Sequence, residues 1–218
     1  PARRARRLDN PRHPPDPVAI LMRTVSIPSL TPTLASVALE RLGLARDRAL
    51  NAPLLALLGS LFIAASAQVA VPMWPVPATM QTFAVLLVGA VLGARLGFAA
   101  TALYLLEGAM GMPFFANGAA GPHHLIGPSA GYLLAFPVAA TLVGYLARLG
   151  FTRTFSTTVA AMFVGTLVIL SVGALWLSLV LPQENAFIAG FAVFLPGCAL
   201  KTLLAAALLP GAWRALGR

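Results

Sequence analysis

The sequence is poor in charge. Only 10% of its 218 residues are Asp, Glu, Lys or Arg, against about 25% in an average soluble chain, while 59% are hydrophobic. A soluble fold of this length could not hide so much apolar surface, since even a 150-residue domain leaves roughly 30% of its unfolded surface wet. The expected class is an integral membrane protein. Cysteine is almost missing as well. The single Cys198 excludes a disulfide framework and any CxxC metal or redox site. Acidic residues number six, too few to complete a zinc site around the adjacent His123 and His124, which would diverge on a regular helix or strand. No GxSxG nucleophile elbow occurs. GCALKT ends in Lys-Thr, but Leu200 stands where a P-loop requires glycine. No catalytic residue, metal or bound cofactor is expected, and any ATP-driven step would need another subunit.

The charge that is present is placed unevenly. Nine of the 15 basic residues precede position 50. A basic flank beside apolar segments reads as an anchor on anionic lipid headgroups rather than as a nucleic-acid site. Residues 1–21 are rich in Arg and Pro and lack a helical period or a signal-peptide core, so they read as a disordered tail or translated upstream sequence, with Met22 the first plausible initiator. Residues 23–50 read as a short interfacial lead-in. The expected organisation is a basic, partly disordered cytoplasmic extension over 1–50 and a membrane domain over 51–218.

Six apolar segments follow: 52–70, 80–93, 96–110, 129–148, 155–180 and 196–213. About 20 helical residues cross a roughly 30 Å hydrocarbon core, so the second and third are short, and are expected to be shielded, tilted or not fully spanning. With the N-terminus inside, the inner connections carry Arg46, Arg48, Arg95, Arg148, Arg153, Arg214 and Arg218. The outer ones (VPMWPVPA, the Gly/Pro loop after segment three, and LPQEN) carry no Lys or Arg. That asymmetry predicts an even number of crossings with both termini cytoplasmic. The expected fold is an all-α six-helix bundle with some short or irregular helices, in the plasma membrane.

The outer loop MGMPFFANGAAGPHHLIGPS is the first place to look for a site, because irregular backbone at membrane depth survives only when buried in protein or lining a cavity. Lys201, the sole lysine, falls near the start of the last segment. An ionisable residue in a membrane helix marks function by default, and the helix N-terminus adds its own affinity for an anionic group; snorkelling to the outer headgroups is the plain alternative. Gln81 and Tyr132 lie where irregular segments meet helices, the junctions at which a cavity could form. Glu107 reads as a solvated helix end, a partner for Lys201, or a proton relay. Ala52, Ala56, Ser60 and Ala64 form a small-residue stripe that permits close helix approach, either inside the bundle or to a separate membrane subunit.

VPMWPVPATMQTFAVLLVGAVLGARLG, GMPFFANGAAGPHHLIGPSAGYLLAFP and FLPGCALK together resemble the signature regions of the BioY family, the biotin-specific S-components of energy-coupling-factor (ECF) transporters. The resemblance spans about residues 52–213. It implies a biotin pocket near the outer face, with Lys201, Gln81 and Tyr132 carried over as substrate-binding residues; Asn117 and Cys198 complete the expected substrate-binding set. It also implies that the stripe on the first helix docks a transmembrane coupling subunit attached to two ATPase subunits. The chain departs from the pattern where Cys198 replaces an acidic residue, where Asn117 occupies a glycine position and could add a polar contact or only tolerate the turn, and at Leu133. The expected function is biotin capture and delivery inward, with no enzymatic step. A carrier for another small vitamin, or a proton-coupled carrier or membrane enzyme using Glu107, His123 and His124, are the other classes open to the sequence.

Overall fold

A computed structural model describes residues 31–44, 48–182 and 185–217, with no side-chain description for 48–50. The expectations for the Arg/Pro-rich tail and for Met22 lie outside these residues.

The described chain is mostly helical. A short helix α1 (Leu34–Arg41) is followed by α2 (Arg48–Ala67), α3 (Gln81–Leu92), α4 (Ala94–Ala109), α5 (Ala130–Arg148), α6 (Phe155–Val180), α7 (Ala186–Gly190) and α8 (Leu195–Ala215). Three stretches, Ala130–Arg148, Phe155–Val180 and Ala186–Ala215, are long and apolar enough to cross a membrane. Each of the six apolar segments read from the sequence overlaps one of α2 to α6 or α8. A purely helical class misses one feature: β1 (Ala70–Val71) and β2 (Ala78–Thr79) pair antiparallel, with Ala70 opposite Thr79. Pro72, Pro75 and Pro77 lie between them and cannot donate to a ladder, so the ribbon stops after two residues.

Helix α3 has 12 residues and rises about 18 Å, well short of a hydrocarbon core. It is shielded instead: nine of its 12 residues are buried, by α5 on one side and α4, α2 and α6 on others. The α3–α5 approach depends on Gly89, where an added Cβ would lie 2.3 Å from the Ala140 carbonyl oxygen. Only Gly93 separates α3 from α4, at φ 83°, a conformation glycine adopts without a steric penalty. The longest helix, α6, starts where the Thr154 hydroxyl caps the Thr157 N–H.

The stripe on α2 faces inward. Ala56, Ser60 and Ala64 are buried on the helix that packs closely with α4, and Ala52 is half-buried. Ser60 is fully buried, and its hydroxyl donates to the Glu107 carboxylate on α4. Glu107 is therefore neither a solvated helix end nor the partner of Lys201: its position on α4 turns it into the interface with α2. Docking of a separate subunit on this stripe meets a surface already covered by the chain itself. Replacing Ser60 with Leu is expected to unfold the bundle or lower its melting temperature sharply. Overpacking costs about 1–3 kcal/mol, and an unpaired buried Glu107 adds about 1–3 kcal/mol. A thermal scan in detergent checks this; an unchanged melting point with loss of subunit binding would return the stripe to an external role.

Candidate functional site

The ribbon, the 110–129 loop and the starts of α3, α5 and α8 converge at one end of the bundle around a cavity of about 370 Å³. This lies in the range usual for small-molecule sites. Its walls are mainly apolar: Val76 and Pro77 from the ribbon, Phe115 and Ala119 from the loop, Leu133 and Phe136 from α5, Leu170 from α6 and Phe194 ahead of α8. Lys201, Gln81, Tyr132, Asn117 and Cys198, drawn from four separate regions, all line it.

The structure divides these five by what their polar atoms already do. Gln81 is buried; its Nε2 donates to the Tyr104 hydroxyl and its Oε1 accepts from the Thr79 hydroxyl at 2.8 Å. Tyr104 in turn donates to the Phe114 carbonyl at 3.2 Å, so Gln81 ties α3 and α4 to the loop. The Tyr132 hydroxyl donates to the Gly190 carbonyl at 2.5 Å. That bond occupies its only proton but leaves the oxygen able to accept, while the ring forms cavity wall beside Phe194, 5.9 Å away between centroids. Asn117 is exposed at φ 58°, the left-handed conformation that Asn tolerates better than most residues. Its side chain has no hydrogen-bond partner among the described residues and faces the cavity. Cys198 is buried and lies one turn before Lys201 on α8.

Lys201 is held from two sides. Its Nζ donates to the Thr79 carbonyl and, at 3.0 Å, to the Thr82 hydroxyl. No Asp or Glu lines the cavity. The ammonium thus stands as a positive charge beside neutral oxygens, in an apolar-walled space where charge interacts more strongly than in water.

Four polar lining residues have no place in the sequence reading: Thr79, Thr82, Ser129 and, as a pocket residue, His124. Thr82 directly follows Gln81 and Ser129 sits in GPSAGYL, so motif position alone marked the neighbourhood without choosing the side chain. His123 and His124 do not diverge. On the 3₁₀ turn Pro122–Leu125 their rings lie 4.1 Å apart, and His124 meets Phe115 edge-on at 5.6 Å. Burial, then the neighbouring His123, hold the His124 imidazole below its ordinary pKa, so it is neutral at pH 7. Among the described residues no group of three or more His, Cys, Asp or Glu is placed to hold a metal.

The loop is fixed by side chains distant in sequence. Gln68 Nε2 donates to the Phe115 carbonyl at 3.2 Å, while its Oε1 accepts from the Gly118 N–H at 2.9 Å. Trp176 Nε1 donates to the Gly127 carbonyl at 3.0 Å. These bonds satisfy backbone that lipid could not.

The sequence pattern of the BioY family matches residues 38–218. The chain belongs to the BioY family. A probable biotin transporter BioY from Pyrococcus horikoshii is 40% identical over 139 residues, covering 62% of this chain and 82% of that protein. The biotin transporter BioY of Rhizobium etli is 36% identical over 143 residues, covering 62% of this chain and 76% of its own. The fold is similar to a crystal structure of the S-component for biotin from an ECF-type ABC transporter, with a TM-score of 0.68 over 78% of this chain and 94% of that one, at 23% identity. These BioY relatives are named as transporters rather than enzymes.

Proposed function

We propose that this BioY-family chain is a biotin uptake S-component, which captures biotin in the 370 Å³ cavity and delivers it inward. The observation that carries the reading is the cavity itself: apolar and aromatic walls, a lone ammonium, and no acid among the lining residues. Biotin matches it, with an apolar sulfur-containing ring and aliphatic chain, a polar ureido ring fused to the first, and an ionised carboxylate for Lys201. Asn117, Ser129 and the neutral His124 remain to hydrogen-bond its ureido group. The proton-coupled schemes gain no comparable support, since Glu107 is occupied by Ser60 and does not line the cavity.

In this reading the chain crosses the plasma membrane six times with both termini cytoplasmic, as the distribution of arginines favours. The cavity then opens outward. Inward release requires a second state of the chain, favoured when a coupling subunit and two ATPase subunits bind it. A coupling subunit reaching α2 would meet the exposed Leu54, Leu57, Leu58 and Leu61 rather than the buried stripe.

The test is a calorimetric titration of the purified chain with biotin. Saturable binding of one biotin per chain, without competition by vitamins lacking a carboxylate, is expected. Absence of biotin binding, with a folded protein by thermal scan, would remove the reading.

A further inference from the structure

We infer that Thr82 is a positioning residue for substrate capture: its hydroxyl, with the Thr79 carbonyl, fixes the Lys201 ammonium so that the remaining N–H is presented to the ligand's anionic group. The inference rests on the biotin reading above and adds a residue and a selectivity to it.

An ammonium carries three N–H donors and no acceptor. Two are taken, by the Thr79 carbonyl and by Thr82 Oγ1 at 3.0 Å. The third is left on the side of the cavity that both residues line. Thr82 makes no other side-chain hydrogen bond among the described residues. Lys201 is a long, flexible side chain, and a compact charge on a four-carbon stem loses much rotamer freedom when fixed. On its other side lies a crevice bounded by Phe83, Leu86, Met162, Thr166, Thr202 and Thr82 itself. That space measures about 10 Å³, close to the smallest volume that holds a water. A head turned that way would leave the Thr79 carbonyl for a small, largely apolar space whose polar groups are threonine hydroxyls, which is costly for a charge. Thr82 therefore acts as a stop on α3 that keeps the head on the cavity side, 119 residues away in sequence from the lysine it holds.

The consequence is selectivity for charge. An ammonium with neutral partners and no neighbouring carboxylate has its full charge available to a ligand anion, and a charge-assisted bond is roughly twice as strong as a neutral one. Removing the Thr82 hydroxyl should therefore affect an anionic ligand far more than a neutral one of the same shape.

Calorimetry on the full-length chain with biotin and with biotinamide, its uncharged amide, tests this. Wild type should prefer biotin. Thr82→Val keeps the branched shape without the acceptor, and should weaken biotin binding by roughly tenfold or more and biotinamide binding far less, in a protein that a thermal scan shows to be folded. Thr82→Ser restores the hydroxyl and should recover the preference. Unaltered biotin affinity in Thr82→Val, or an equal loss for both ligands, would overturn the positioning role. A wild-type chain that binds neither ligand would instead overturn the biotin reading, and the inference with it.

Discussion

Replacing Lys201 with Ala is expected to weaken biotin binding by about 10- to 150-fold, the equivalent of the roughly 1.5–3 kcal/mol carried by a hydrogen bond to a charged group. The protein should still fold and insert. Lys201 is only part-buried at its ammonium, and its bonds to Thr79 and Thr82 join α8 to the start of α3 without passing through the α3–α5 or α5–α6 packing. Replacement by Met, which keeps length and removes charge, separates the two contributions: it should lose the affinity while retaining the packing of the stem. Titrations of both variants beside a thermal scan check the expectation. Biotin affinity equal to wild type in both would make Lys201 a snorkelling residue and empty the cavity of its main polar anchor.

The second large effect is expected from a residue that carries no functional group. At Gly173 on α6, an added Cβ would lie 2.1 Å from Tyr132 Cε1 and 2.2 Å from its Cδ1. The ring cannot simply swing aside. Tyr132 is buried, and its hydroxyl is bonded to the Gly190 carbonyl at the far end. Gly173→Ala must push the ring into the cavity or separate α5 from α6, at a cost of about 1–3 kcal/mol or more. Biotin binding should be lost and the melting temperature lowered. Tyr132→Leu combined with Gly173→Ala should recover part of the stability, because the smaller side chain frees the space. A Gly173→Ala protein that binds biotin normally would place Tyr132 outside the binding wall.

How much of this was legible depends on the range of the interaction. Apolar length locates helices because it is a property of contiguous sequence; α6 matches its expected bounds at 155–180. The short β1–β2 ribbon escaped that reading, since two-residue strands leave no period to detect. Cavity residues were found where a local signal existed. Lys201 is conspicuous as a lone cation in an apolar run, and Gln81 and Tyr132 stand at helix junctions.

What those groups do was harder to read, because each is decided by a remote partner. Gln81 gives its amide to Tyr104, 23 residues on, and Tyr132 gives its proton to Gly190, 58 residues on. Both line the cavity, and the intramolecular bonds that fix the loop and the wall add to the substrate-binding role expected of them. Glu107 and Ser60 show the same limit from the other direction. Each invited a separate functional reading, and the structure joins them to one another across the α2–α4 interface. Small-residue spacing specifies close approach but carries no information about which helix approaches.

The most direct measurement is a structure of the purified chain equilibrated with biotin. One biotin is expected inside the 370 Å³ cavity, its carboxylate hydrogen-bonded to Lys201 Nζ and its bicyclic body against Tyr132, Phe136 and Phe194. Biotin bound elsewhere, such as the apolar cleft between α6 and α8 lined by Phe163, Leu167 and Leu203, with the cavity vacant and Lys201 still turned to Thr79 and Thr82, would contradict it.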